Sequence, residues 1–264
     1  MRNKGFSSVL FIIISISCVM GMEAKVPMIS GHRGANAIAP EHTLASADSC
    51  AKYGIDYIEC DLCISKDSVF YLLHDDKLDR TTNGVGEIAD WMSQDIDTLD
   101  AGSWFGPEFK GQRVAKFADL LRVAKNAGIH VTVDYRAGDF GKMMELINAE
   151  GMLDSCSFTF YKEEKAKAFR AIFPEVSLQA YVRELGDFDR IAEELKPDII
   201  VAWIEKITPE FVEKVHSRDM KMLALVLGLQ DRAAENRRAV DLGVDIVASD
   251  RPEEFVKKYG HARE

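Results

Sequence analysis

Two histidines stand where an apolar strand has no structural need for them. His32 closes a short apolar run inside Gly31-His32-Arg33-Gly34, and His74 follows Val69–Leu73. Between them Tyr57-Ile58-Glu59-Cys60-Asp61-Leu62 places two carboxylates two residues apart. On a strand, Glu59 and Asp61 then share one side, and Ile58, Cys60 and Leu62 cover the other. Like charges held so close need a cation or a shared proton. Hard oxygen donors favour Mg²⁺ or Ca²⁺, with Mn²⁺ as a further option. Asp134, in Val131-Thr132-Val133-Asp134-Tyr135-Arg136, offers a third ligand, and Arg136 would share its face. Arg33 and Arg136 could hold a phosphate through charge-assisted hydrogen bonds. His32 and His74 could serve as general acid and base near neutral pH. The inventory suits phosphoryl chemistry, in which an ion polarises oxygens, arginines stabilise charge and imidazoles move protons. It suits glycoside hydrolysis less, because that chemistry rarely needs paired histidines.

The elements that must position these groups alternate. Strands are expected over Val26–Gly31, Tyr57–Ile64 with a partner at Val69–Leu73, Gly128–Val133, Ser155–Phe160, Val176–Tyr181, Asp198–Ala202, Lys221–Val226 and Asp245–Ala248. Helices are expected over Thr43–Tyr53, Lys116–Asn126, Phe140–Glu150, Lys162–Ile172, Phe188–Leu195, Pro209–Ser217, Arg232–Leu242 and Pro252–Tyr259. Thr43 and Thr208 read as N-caps, with Pro209 at the first helical position. Short apolar strands alternating with helices predict an α/β chain closed into a (β/α)8 TIM barrel, whose active sites lie at the C-terminal ends of the strands. An open doubly wound sheet is the alternative, but its Gly-x-Gly-x-x-Gly turn is absent from the first unit. From His74 to Lys116 the rhythm breaks. This insertion, about 75–115, follows the second barrel strand and carries Trp91, Trp104, Phe105 and Phe109; it is expected to cap the mouth.

The 264 residues carry a net charge of −10, with 47% hydrophobic and 29% charged residues. That balance fits one globular domain and excludes nucleic acid as a partner, since such binding depends on neutralised phosphates. Arg2, Lys4 and the apolar run Val9–Met20 read as a signal peptide over 1–24, with the barrel domain over 25–264. Alternatively Ser15-Ile16-Ser17-Cys18 resembles a bacterial lipobox, which would end the signal at 17 and place a lipid anchor on Cys18. Either way the chain is expected to be exported, periplasmic or associated with an outer membrane. Cys50, Cys60, Cys63 and Cys156 are expected to be buried free thiols, because residues three apart on a strand face opposite sides.

Several linked motifs resemble the glycerophosphodiester phosphodiesterases: His32-Arg33-Gly34, Pro40-Glu41-His42-Thr43, Ile58-Glu59-Cys60-Asp61, His74-Asp75, Leu78-Asp79-Arg80-Thr81-Thr82-Asn83-Gly84, Leu99–Phe105 and Gly243–Pro252. The resemblance implies a (β/α)8 barrel with an insertion after the second strand. It implies cleavage of a glycerophosphodiester to glycerol 3-phosphate and an alcohol, one route passing through a cyclic phosphate. It assigns His32 and His74 to acid/base work, Glu59, Asp61 and Asp134 to one divalent ion, and Arg33, Glu41 and Arg136 to phosphate and substrate. Three departures stand out: Asp134-x-Arg136 replaces a usual Glu-x-Lys, Ala224–Gly228 lacks a usual Trp-x-x-Asn-like end, and Val114–Phe117 replaces Ile-Pro-Thr-Leu. Trp203 would supply part of the lost aromatic wall as a substrate contact. The remaining histidines read as minor: His42 as a loop hydrogen-bonder, and His130, His216 and His261 as structural or surface groups without useful charged partners. Two other readings stay open: action on lysophospholipid or phospholipid headgroups, and a low-turnover binding protein.

Overall fold

The computed structural model describes residues 25–261. The signal-peptide and Cys18 readings fall on 1–24, outside the described residues.

The strands are β1 (Met28–Gly31), β2 (Tyr57–Ile64), β3 (Phe70–Leu72), β4 (His130–Tyr135), β5 (Cys156–Phe160), β6 (Ser177–Tyr181), β7 (Ile199–Trp203), β8 (Lys221–Val226) and β9 (Ile246–Ser249). All but β3 run parallel, in the order β1-β9-β8-β7-β6-β5-β4-β2, and a β1–β2 pairing closes the ring. Eight strands with helices between them make the expected (β/α)8 barrel. The helices are α1 (Leu44–Tyr53), α2 (Ser93–Ile96, inside the insertion), α3 (Phe117–Ala127), α4 (Phe140–Ala149), α5 (Glu163–Ile172), α6 (Phe188–Leu195), α7 (Pro209–His216), α8 (Ala233–Leu242) and α9 (Pro252–Tyr259). Thr43 and Thr208 cap α1 and α7 as expected, accepting from Ser46 N and Phe211 N.

Strand alternation sorts the side chains. Ile58, Cys60 and Leu62 of β2, with Val131, Val133 and Tyr135 of β4, join the large core beneath the helices. Tyr57, Ile199, Val201, Leu223, Ile246 and Ala248 fill the barrel interior. Above them Gln179 Nε2 donates to Thr132 Oγ1 at 2.9 Å and to Ser157 Oγ at 2.8 Å, so this buried polar layer is internally satisfied. The four described cysteines are free and buried, as expected.

β3 pairs antiparallel with β2, Leu62 opposite Leu72. It is therefore a hairpin arm outside the barrel, the partner of β2 expected at Val69–Leu73, and His74 follows this arm and not a barrel strand. The arm turns back at Ile64, and Leu73 N bonds Asp61 O at 3.1 Å, which lowers His74 to the height of Asp61. The insertion has its own core of Tyr71, Leu73, Leu78, Ile88, Ile96, Leu99 and Val114. It docks beside β2 and β3; its first residues, Asp75 and Arg80, stand at the mouth beside His74 and Glu41, while Trp91, Trp104, Phe105 and Phe109 are not among the residues lining the cavity.

Candidate active site

The Gly31–Gly34 turn sets the first part of the site. Arg33 adopts φ 58° and Gly34 φ 85°, both left-handed. A Cβ on Gly34 would lie 2.4 Å from Ser46 Oγ, so only glycine fits. The strained Arg33 backbone points its N–H at Glu59 Oε2, 2.8 Å away. Its guanidinium donates to Glu41 Oε1 at 3.1 Å and lies 3.7 Å from Asp61 Oδ2.

β2 and β4 set the acidic part. Asp61 pairs with Asp134 in register, so two carboxylates face inward side by side with Glu59 one step below. One oxygen from each of Glu59, Asp61 and Asp134 lies within 4.8 Å of the others. Burial, then the charges of Asp61 and Asp134, hold the Glu59 carboxyl well above its ordinary value. Burial, then Asp61, pushes Asp134 up to about 7. For Asp61 burial acts the same way, but the His42 hydrogen bond and the charges of His42, Arg136 and His74 outweigh it and hold that carboxyl well down. Asp134 Oδ1 is buried without a hydrogen-bond partner. Three converging hard oxygen donors, one of them orphaned, fit a divalent cation.

Arg136 was expected at phosphate. Here its Nε donates to Asp61 Oδ1 at 2.9 Å, with a second bond from Nη2, and Nη2 lies 3.4 Å from Asp134 Oδ2. The guanidinium thus leans on the acidic group, where it offsets part of the repulsion. His42, read as a loop group, is buried and gives Nε2–H to Asp61 Oδ2 at 2.9 Å. Burial lowers its pKa against the opposing pull of Asp61 and Glu41, and the imidazole acts as an orienting donor to Asp61. His216 has a carboxylate partner after all, Asp245 at 2.8 Å, but far from this mouth at the start of β9.

Both principal histidines are held through Nδ1. That of His32 lies 2.7 Å from Asp250 Oδ1, which also accepts from Asn36 Nδ2 at 2.9 Å, while Gly228 N donates to the other oxygen at 2.6 Å. That of His74 lies 2.7 Å from Asp75 Oδ1. Ionised carboxylates only accept, so each Nδ1 carries the proton and each Nε2 is free to act. Arg80 holds Asp75 at 2.6 Å and grips Glu41 with two bonds, at 2.9 and 2.8 Å. Its hydrogen bond is the main reason the Asp75 carboxyl is held down at about 2. A chain His74–Asp75–Arg80–Glu41–Arg33 therefore ties the two sides of the mouth together. Glu41 acts in it as a clamp between arginines. Trp203 ends β7, bonds Tyr181, and is not among the residues lining the cavity. Sequence motifs contained Asp75, Arg80 and Asp250, but nothing in their spacing revealed these partners.

A cavity of ≈ 540 Å³ opens at this mouth, lined by His32, Glu59 and Asp134 and continuing past Tyr161 and Arg183. Residues 32–183 match the model of the Glycerophosphoryl diester phosphodiesterase family. The chain belongs to that family. A glycerophosphodiester phosphodiesterase of Bacillus subtilis (strain 168) is 30% identical over 249 residues, covering 86% of this chain and 84% of the relative. Another, from Caldanaerobacter subterraneus, is 26% identical over 87% of this chain and 96% of its own length. The crystal structure of the glycerophosphodiester phosphodiesterase of Agrobacterium tumefaciens superposes with a TM-score of 0.82 at 31% identity, covering 88% of this chain and 99% of that one. An Oleispira antarctica phosphodiesterase, solved with the product sn-glycerol-3-phosphate, shares the fold with a TM-score of 0.76 at 24% identity over 88% and 96% of the two chains. The chain is accordingly an enzyme of the glycerophosphodiester phosphodiesterase type, a phosphodiester hydrolase, and its acidic group could bind a metal ion.

Proposed function

We propose that the protein hydrolyses glycerophosphodiesters to glycerol 3-phosphate and an alcohol, using one divalent cation, Mg²⁺, Ca²⁺ or Mn²⁺, at Glu59, Asp61 and Asp134. The observation that carries this reading is the meeting of that acidic group with two Nδ1-anchored imidazoles at one barrel mouth. When bound, the cation supplies charge that polarises the phosphoryl oxygens.

The chain's own residues do the rest. Arg33 is fixed by Glu41 beside the ion site and directs its charge to the phosphate. Arg136 supplies a second positive group within the same wall. One imidazole Nε2 takes the proton of the attacking oxygen as it approaches phosphorus, that of water directly or that of the glycerol 2-hydroxyl, with water then opening the cyclic phosphate to glycerol 3-phosphate. The other, protonated, gives its proton to the departing alcohol oxygen. The carboxylates behind them, Asp250 and Asp75, stabilise whichever imidazolium forms. The insertion contributes Asp75 and Arg80 to these steps, and the N-terminal run supports export of the enzyme, as a soluble form or anchored at Cys18.

The test is hydrolysis of glycerophosphocholine with glycerol 3-phosphate as readout. His32→Ala and His74→Ala should each lose at least about 10²-fold in kcat, the usual contribution of a positioned acid or base. Full activity in either variant contradicts the assigned role.

A further inference from the structure

The cavity that holds the acidic group does not end there. β6 lies four strands from β1 in either direction around the barrel, so it faces His32 across the mouth. β5 and β6 pair only through Ser157–Ser177 and Phe158–Leu178, and above that the wall opens. The cavity runs into this opening, past Thr159 and Tyr161 to Arg183. That leaves space for a substituent beyond the phosphate.

Arg183 is built into this end. Its guanidinium carbon lies 4.7 Å from the Tyr161 ring centroid and 5.7 Å from that of Tyr181. Trp203 bonds the Tyr181 side chain, and Lys206 Nζ donates to the Arg183 carbonyl and, at 2.7 Å, to Glu184. The acidic groups Glu163 and Asp187 on the same rim are engaged by Arg190, at 2.6 and 3.8 Å. Lys162 adds a further positive charge, and Glu164 a negative one. Among the described residues no carboxylate forms an ion pair with Arg183. A guanidinium resting its face on aromatic rings keeps its N–H edge for an anion. The same contact occupies ring faces that a quaternary ammonium would otherwise use.

We propose that Arg183, with Tyr161 and Tyr181, forms a second anion subsite, and that the preferred substrate is a phosphodiester whose far alcohol carries another negative group, a phosphate or carboxylate. This rests on the reading of the mouth as a glycerophosphodiesterase. Arg183 is a specificity residue and takes no part in bond cleavage.

The experiment compares kcat/KM for three substrates with the same scissile linkage: diglycerol diphosphate (anionic arm), glycerophosphoglycerol (neutral) and glycerophosphocholine (cationic). The wild type should prefer the anionic arm over the cationic one by about tenfold or more, the scale of one charge-assisted contact. Arg183→Gln should lose about tenfold on diglycerol diphosphate alone, staying within about twofold on the neutral substrate. Equal losses on all three, or none, overturn the proposal. A second measurement reads binding without turnover: titration of diglycerol diphosphate into His32→Ala and into His32→Ala/Arg183→Gln protein. If the wild type hydrolyses none of the three, the parent reading fails, and this titration decides the subsite separately. Weaker binding in the double variant supports it; equal binding overturns it.

Discussion

Nδ1 of His32 lies 2.7 Å from Oδ1 of Asp250, a residue 218 positions away in sequence. The barrel makes the contact because β9, which Asp250 follows, pairs with β1, placing Ser249 beside Gly31. The contact fixes the tautomer and aim of His32. Asp250→Ala should therefore lower kcat by about 10²-fold with little change in KM, since the residue acts through the imidazole and not on substrate. Asp250→Glu, which keeps a carboxylate acceptor, should recover part of the loss. An unchanged kcat in Asp250→Ala would leave Asp250 with a purely structural role.

Metal affinity should depend on pH through the acidic group. Asp134 is raised to about 7, and Glu59 is raised as well, by burial and by neighbouring carboxylates. An acid raised in the folded state, against an unfolded value of about 3.9, lends stability that is complete below that value and lost as pH rises through the folded pKa. The metal-free protein should accordingly lose melting temperature between about pH 4 and pH 7 from this source. A divalent ion should restore it most strongly above pH 7, where ligands need shed no proton. Thermal melts with EDTA or with Mg²⁺, Ca²⁺ and Mn²⁺ at pH 5 and pH 8 check both slopes.

Arg136 leans on two of the three metal-site carboxylates. Arg136→Gln removes a positive charge from beside the ion, so the ion should bind tighter, by about tenfold. The same change removes charge opposite the phosphate and should reduce kcat/KM by about 10-fold to 10²-fold. Calorimetric titration of the metal-free variant, set beside its kinetics, should show the two effects with opposite sign.

Arg80 joins the His74–Asp75 pair to Glu41 and Arg33. Arg80→Ala should lower activity by about tenfold, with the loss divided between kcat through His74 and KM through Arg33. Thr208→Ala is a useful contrast. It removes the α7 cap, whose hydroxyl accepts from Phe211 N at 3.2 Å. It should cost about 1 kcal/mol of stability and leave kcat/KM alone.

The sequence carried the barrel because its strands are covered on both faces and its helices announce their caps. It carried Glu59 and Asp61 because period-two alternation puts them together within a single strand, and Asp134 because it ends the strand hydrogen-bonded alongside. What depended on contacts between distant segments was hidden. The apolar run before His74 marked β3 as a partner of β2, but not that its return sets Leu73 beside Asp61. His42 looked like a loop residue because its partner, Asp61, is on another element. The insertion's aromatic residues drew attention to a cap, while the groups it brings to the mouth, Asp75 and Arg80, showed no partners in the sequence. Arg136 was legible as a cation near Asp134, but not its preference for Asp61 over open space at the mouth.

The most direct measurement is the rate of glycerol 3-phosphate release from a glycerophosphodiester after exhaustive EDTA dialysis, then after Mg²⁺, Ca²⁺ or Mn²⁺ is returned, in wild type and in Asp61→Asn. The acidic group as an ion site predicts near-complete loss on dialysis, recovery on metal addition in the wild type, and little recovery in the variant. Full turnover by the dialysed wild type, or equal recovery in Asp61→Asn, would contradict it.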